Sequence, residues 1–137
     1  MFQTETQLRV RYSETDRMSY VYYGNYAQYF EVARVEALRS LGITYKKMED
    51  DGLLLPVLEY SIKYFKPAFY DDLLTIRTVI PKLPEARIYF EYETYNETGT
   101  LLNKAATTLV FINAINGKPT AAPEYLLEKM RGFFGFE

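Results

Sequence analysis

The stretch YSETDRMSYVYYGNYAQYF, residues 12–30, sets the carboxylate of Asp16 ahead of an aromatic run, with Gly24 and Asn25 where a helix reads as starting. In one reading Asp16 is an ordinary turn aspartate that holds a nearby backbone amide. In the other it is a reactive group. A helix N-terminus carries free N–H groups and the positive end of a dipole, and such amides stabilise a carbonyl oxygen as it gains negative charge. A carboxylate across a small apolar pocket from them attacks that carbonyl, or activates a water against it. The pair suits cleavage of an activated acyl compound. Thioesters fit best, because a departing thiolate needs little help from an acid.

Composition narrows the alternatives. The chain has 137 residues, 48% of them hydrophobic, and reads as one domain over 1–137, long enough to bury a core. It contains neither histidine nor cysteine. Ser-His-Asp and Cys-His machinery is therefore unavailable, as are the usual zinc sites. GxSxG, GxGxxG and P-loop motifs are missing too. Any chemistry falls to carboxylates, tyrosines, lysines, hydroxyls, backbone amides or a bound cofactor, though the expectation is neither cofactor nor metal. Net charge is −2 without a basic run, which disfavours nucleic-acid binding. No apolar run reaches the roughly 18 residues of a membrane span, and the first residues lack a secretory pattern. The expectation is a cytoplasmic protein.

Period and punctuation supply the scaffold. Residues 5–12 alternate as a first strand would, and a loop follows through Ser13–Tyr22. From Tyr23 to Leu41 the positions Tyr26, Tyr29, Phe30, Ala33, Ala37, Leu38 and Leu41 form the stripe of an amphipathic helix, with Gly42 as its stop. ITYKKMEDD reads as a short helix or turn. Strands are expected over 53–66 (with an early proline), 71–80, 86–96 and 100–115, joined by short turns, and PEYLLEKM as a terminal helix. The order β-α-β-β-β-β-α predicts an α+β domain, one long helix packed on a curved antiparallel sheet. Ile88, Phe90 and Tyr92 fall on one side of their strand, Tyr89 and Tyr95 on the other. The second aromatic face predicts a covering partner, hence a homo-oligomer.

Residues 11–42, RYSETDRMSYVYYGNYAQYFEVARVEALRSLG, resemble the signature of the 4-hydroxybenzoyl-CoA thioesterase family of hot-dog-fold proteins, which also includes Tol-Pal-associated thioesterases. The signature positions here are Asp16, Val21, Tyr22, Tyr23, Asn25, Tyr26, Glu31 and Arg34. SIKYFKPAFYDDLLTIRTVI resembles the family's strand–turn–strand, so the likeness covers essentially the whole chain. It implies the hot-dog fold, a long helix wrapped by an antiparallel sheet. It further implies acyl-CoA hydrolysis by a dimer or a tetramer, a catalytic role for Asp16, and polarisation of the thioester carbonyl by the Tyr23 amide. Tol-Pal-associated members often carry His at the Tyr23 position, and hydroxybenzoyl-CoA enzymes are closer to Tyr. The glycine-rich segment that often follows the acid is RMS here.

Other residues carry two readings each. Asn25 reads first as a structural residue at the helix start and second as part of the substrate site. Glu31 and Arg34 sit three apart and read as an ion pair, while Glu31 is also the alternative catalytic acid. Glu59 reads first as a solvated strand residue and second as one that faces the pocket. Tyr22, Tyr23, Tyr26 and Tyr60 are candidates for an acyl pocket, though packing alone explains them. Lys63 and Lys118, with Lys66, Lys104 and Arg87, are candidates for the phosphates of a CoA partner. Two competing functions stand beside acyl-CoA hydrolysis: hydrolysis of an acyl carrier protein thioester, and acyl-CoA binding without turnover. A dehydratase of this fold that relies on histidine is excluded.

Overall fold

The computed structural model describes residues 1–135. Along the chain lie β1 (Phe2–Arg9), α1 (Tyr26–Ser40), α2 (Tyr45–Asp50), β2 (Leu53–Leu54), β3 (Val57–Tyr64), β4 (Leu73–Ile80), β5 (Arg87–Tyr95), β6 (Leu101–Val110), β7 (Ile112–Asn113) and α3 (Glu124–Met130). Short 3-10 turns at Tyr12–Glu14 and Tyr23–Asn25 lead into α1. Five strands form one antiparallel sheet in the order β1-β4-β5-β6-β3, and β2 pairs with β7 apart from it. The α+β class follows from this order.

The core lies between α1 and one face of the sheet. β4 and β5 alternate cleanly, burying Leu74, Ile76, Thr78 and Ile80 from one and Ile88, Phe90, Tyr92 and Thr94 from the other. The α1 stripe meets them: Phe30, Ala33, Ala37 and Leu38 are fully buried, and the Phe30 ring stacks on Tyr92 with centroids 4.6 Å apart. Gly42, at φ +81°, ends the helix as expected, its amide donating to the Arg39 carbonyl at 2.9 Å. Among the described residues no helix is long and apolar enough to cross a membrane.

Several local expectations need correction. The first strand is Phe2–Arg9 rather than 5–12. The alternation does run on to Tyr12, but Glu14 turns back to accept the Arg11 amide at 2.8 Å and closes a turn that ends the pairing. The single strand expected over 53–66 is two. Pro56 has no N–H to continue a ladder, so β2 joins β7 while β3 joins β6. The strand expected over 100–115 likewise divides at Phe111, whose amide donates to the Ala86 carbonyl at 3.0 Å. Arg34 makes no ion pair with Glu31. It stands on the inward face between Phe30 and Leu38, 7% exposed, with its guanidinium toward Tyr92 and Tyr45, while Glu31 faces solvent.

Two irregularities bear on the site. In the β5–β6 ladder Thr94 pairs with Asn103 and Tyr95 with Leu101, so Leu102 is an extra residue and both Leu102 and Asn103 turn inward. β3 is an edge strand and, Ile62 apart, exposed throughout, although it carries Val57, Leu58, Tyr60 and Tyr64.

Candidate active site

Asp16 is placed by a small hairpin between β1 and α1. Its amide donates to the Tyr20 carbonyl at 3.0 Å, and the Ser19 amide returns a bond to the Asp16 carbonyl at 3.0 Å. The hairpin is anchored below by Val21, whose amide donates to the Ala68 carbonyl at 2.9 Å. One carboxylate oxygen, Oδ1, accepts the Met18 amide at 2.8 Å. No described donor reaches Oδ2, which leaves half of the carboxylate available to a substrate or a water.

Glu14 holds this hairpin against the helix start. Its carboxylate, nearly buried, accepts the Arg11 amide, the Arg11 guanidinium and, at 2.8 Å, the Tyr29 hydroxyl from α1. Burial pushes the Glu14 carboxyl up, but these three donors outweigh it and leave it below its ordinary value. Its carbonyl accepts the Tyr22 amide at 2.9 Å and the Asn25 side-chain amide at 2.8 Å. Asn25 thus ties the helix start to the hairpin and makes no side-chain cap of its own helix. Glu14 lies two residues before Asp16, and nothing in its spacing announces the role. Burial is its only signal.

Tyr22 is extended, with ψ 130°, and the chain then turns into Tyr23–Asn25 and α1. The first bond of this turn runs from the Asn25 amide to the Tyr22 carbonyl at 2.9 Å. The amides of Tyr23 and Gly24 precede it and meet no acceptor among the described residues, as the first N–H groups of a helix do. Gly24 leaves room for the Tyr22 ring: a Cβ there would stand 2.8 Å from one of its carbons.

These pieces meet at a cleft of about 500 Å³. Asp16, Tyr22, Tyr23 and Tyr26 line it from the hairpin and helix start, and Tyr64, Phe65 and Lys66 from the end of β3. Tyr26 and Tyr64 touch, with ring centroids 5.6 Å apart. Burial pushes the Tyr26 hydroxyl up to about 12, so it is a neutral donor at ordinary pH. The other expected site residues lie outside the lining. Tyr60 is further along β3, packed on Phe30 at 6.2 Å. Lys63 points to the opposite face of the strand from Tyr64, its ammonium over the Phe65 ring. Lys118 is exposed in the turn after β7, and Glu31 is exposed on α1. The cation in the cleft is Lys66, two residues past the end of β3, where strand period gives no information on direction.

A carboxylate with one free oxygen, two unsatisfied helix-start amides and aromatic walls around them form a site for a planar, polarised carbonyl beside an apolar group. The sequence model of the Thioesterase-like superfamily matches residues 10–130. The chain is 34% identical over 118 residues to acyl-CoA thioesterase YbgC of Haemophilus influenzae, covering 85% of this chain and 86% of the relative. It is 29% identical over 102 residues to 1,4-dihydroxy-2-naphthoyl-CoA hydrolase of Thermosynechococcus vestitus, covering 74% and 70%. Among solved structures, DHNA-CoA thioesterase from Staphylococcus aureus superimposes with a TM-score of 0.90 at 34% identity, covering 98% of this chain and 90% of that one. With a five-stranded antiparallel sheet packed on one long helix, this chain has the hot-dog fold and belongs to the thioesterase-like superfamily.

Proposed function

We propose that this protein hydrolyses the thioester of an acyl-CoA to the free acid and CoA, acting as one domain over 1–137. The observation that carries this reading is the shared cleft of Asp16 Oδ2 and the unsatisfied Tyr23 amide. The substrate carbonyl oxygen would point at the Tyr23 N–H and the start of α1. Asp16 would then attack the carbonyl carbon, or take a proton from a water that does. In either route the carbon–sulfur bond breaks, the thiolate leaves and is protonated, and one water is consumed. Tyr22, Tyr26 and Tyr64 would hold the acyl group. Lys66 would meet the CoA phosphates, and Lys63, outside the cleft lining, is the weaker candidate for them. CoA is favoured over acyl carrier protein because the cleft offers a local cation and the sequence no basic run. The exposed position of Glu31 makes it a weaker candidate for the acid than Asp16, and Asn25, Tyr60 and Lys118 serve less directly, from outside the cleft lining. The chemistry needs neither metal nor cofactor, and we place the protein in the cytoplasm.

The exposed apolar edge at β3 supports a homo-oligomer, a dimer or a tetramer of dimers. One observation favours a second reading, acyl-CoA binding without turnover: Asp16 Oδ1 is engaged by Met18, as in an ordinary turn aspartate. Thiol release from a panel of short, long and aryl acyl-CoAs separates the two. Asp16→Asn keeps the acceptor for Met18 and hence the turn. It should lower turnover by at least about a hundredfold with an unchanged melting temperature. Near-wild-type turnover in that variant would remove Asp16 from the mechanism. Saturable acyl-CoA binding by the wild type without thiol release would establish the binding protein instead.

A further inference from the structure

Asn103 is fully buried, and neither its side-chain carbonyl nor its side-chain NH2 has a partner. Thr94, its cross-strand neighbour on β5, is also fully buried with an unpartnered hydroxyl. Buried polar groups are almost always satisfied, so adjacent side chains presenting unpaired donors and acceptors together call for an explanation. Their position suggests one. On its other side Asn103 pairs directly with Tyr64 of β3, and directly opposed residues project to the same face of a sheet. Tyr64 lines the cleft and packs on Tyr26. The bulge at Leu102 sets the direction of Asn103, and the Leu102 carbonyl accepts the amides of two further cleft residues, Phe65 at 2.8 Å and Lys66 at 3.0 Å. The bulge therefore fixes the cleft wall and the buried amide in one unit. Bulges beside binding sites commonly re-aim a side chain in this way.

We propose that Asn103, with Thr94, is a specificity-determining residue that binds a hydroxyl group carried by the acyl chain. This rests on the acyl-CoA reading of the cleft. The Asn103 carbonyl accepts from that hydroxyl, and its NH2 or the Thr94 hydroxyl donates to the oxygen. The acyl group reaches them between Tyr26 and Tyr64. Neither Asn103 nor Thr94 lines the cleft as it stands, so Tyr64, half-exposed on the edge strand, must turn aside to admit the acyl group. A plain hydrocarbon acyl group would leave the amide unpaired. Sites built around a substrate hydroxyl reject the analogue without it far more strongly than apolar pockets sort by size.

Calorimetric titration with CoA thioethers, which cannot be hydrolysed, tests this independently of turnover. The probes are S-(4-hydroxybenzyl)-CoA against S-benzyl-CoA and S-(6-hydroxyhexyl)-CoA against S-hexyl-CoA. The wild type should bind the hydroxylated member of at least one pair about tenfold more tightly or better. Asn103→Leu should abolish that preference while leaving affinity for the plain member unchanged, and should still melt cooperatively, since it removes an orphaned polar group and keeps the branched outline, which offsets the crowding by its larger methyls. Should Asn103→Leu fail to fold, Thr94→Val makes the same comparison. Equal affinity within both pairs, a preference that survives substitution, or no binding of any of the four would overturn the proposal, equal affinity meaning that the amide holds interior water alone. Preference without thiol release from the matching thioesters would retain the Asn103 role and reject hydrolysis.

Discussion

Glu14 shows how a buried carboxylate can organise a site without taking part in its chemistry. Three donors converge on it, and its carbonyl holds both the Tyr22 amide and Asn25. Because its folded-state carboxyl lies below the ordinary 4.5, it stabilises the protein above that pH, and the contribution is lost as pH falls below 4.5 through the folded-state value. Glu14→Gln keeps the shape but weakens the bonds to Arg11 and Tyr29. It should destabilise the fold at pH 7 by about 1–3 kcal/mol. Below pH 4.5 the wild type should lose stability more steeply than the variant, and denaturant melts over pH 3–7 would show the two curves converging. Parallel curves would mean that Glu14 titrates alike in the folded and unfolded chains. Such a role was not legible in the sequence, where Glu14 and Asp16 look alike. Asp16 stood out only because aromatic residues and a helix start follow it. Asn103 was equally hidden, since a strand read by strict alternation has no place for the extra residue that turns Leu102 and Asn103 to the same side.

At the scale of elements, much more could be read. The helix stripe, the Gly42 stop and the alternation of β4 and β5 state their faces directly, because each follows one period. Prediction failed where an element changes partners without changing composition: 53–66 and 100–115 read as continuous, yet each divides between two sheets. Arg34 misled for a related reason. Spacing of three allows an ion pair with Glu31, but Arg34 shares its helix face with Phe30 and Leu38, so the core claims its side chain. The join between the hairpin and α1 yields a prediction. Gly24 has a negative φ and sits in the first turn, so alanine there carries no backbone strain and favours the helix by up to about 1 kcal/mol. Its methyl would instead displace the Tyr22 ring, now 2.8 Å from that point. Gly24→Ala should therefore melt at or above the wild-type temperature while KM for acyl-CoA rises several-fold. An unchanged KM would mean that Tyr22 contributes nothing to the cleft.

For the whole molecule, the imbalance between the two ends of the sheet is the feature that most needs a physical account. β1 closes one edge, its first residues held by Phe2 packing edge-on to Phe133 at 4.9 Å and by the Met1 ammonium donating to the Phe133 carbonyl at 2.7 Å. β3 closes the other, with Val57, Leu58, Tyr60 and Tyr64 each between 40% and 49% exposed. An open edge of this kind offers unpaired backbone groups and apolar side chains together, which proteins ordinarily blunt with charge or prolines. The exposed aromatic side chains of Tyr22, Tyr23, Phe65 and Phe69 extend the same surface to the mouth of the cleft. A second copy of the chain laid along β3 would cover all of it and would also narrow the cleft. Leu58→Lys places a charge on that edge at a bulge residue, where β6 makes no demand on it. The variant should keep its secondary structure and shift the sedimentation profile from dimer or tetramer to monomer. If the cleft depends on the neighbouring copy, thiol release should fall in proportion to the monomer fraction and recover as protein concentration rises. A wild type that sediments as a monomer at micromolar concentration would reject the interface, and activity independent of the monomer fraction would show that one chain carries the whole site.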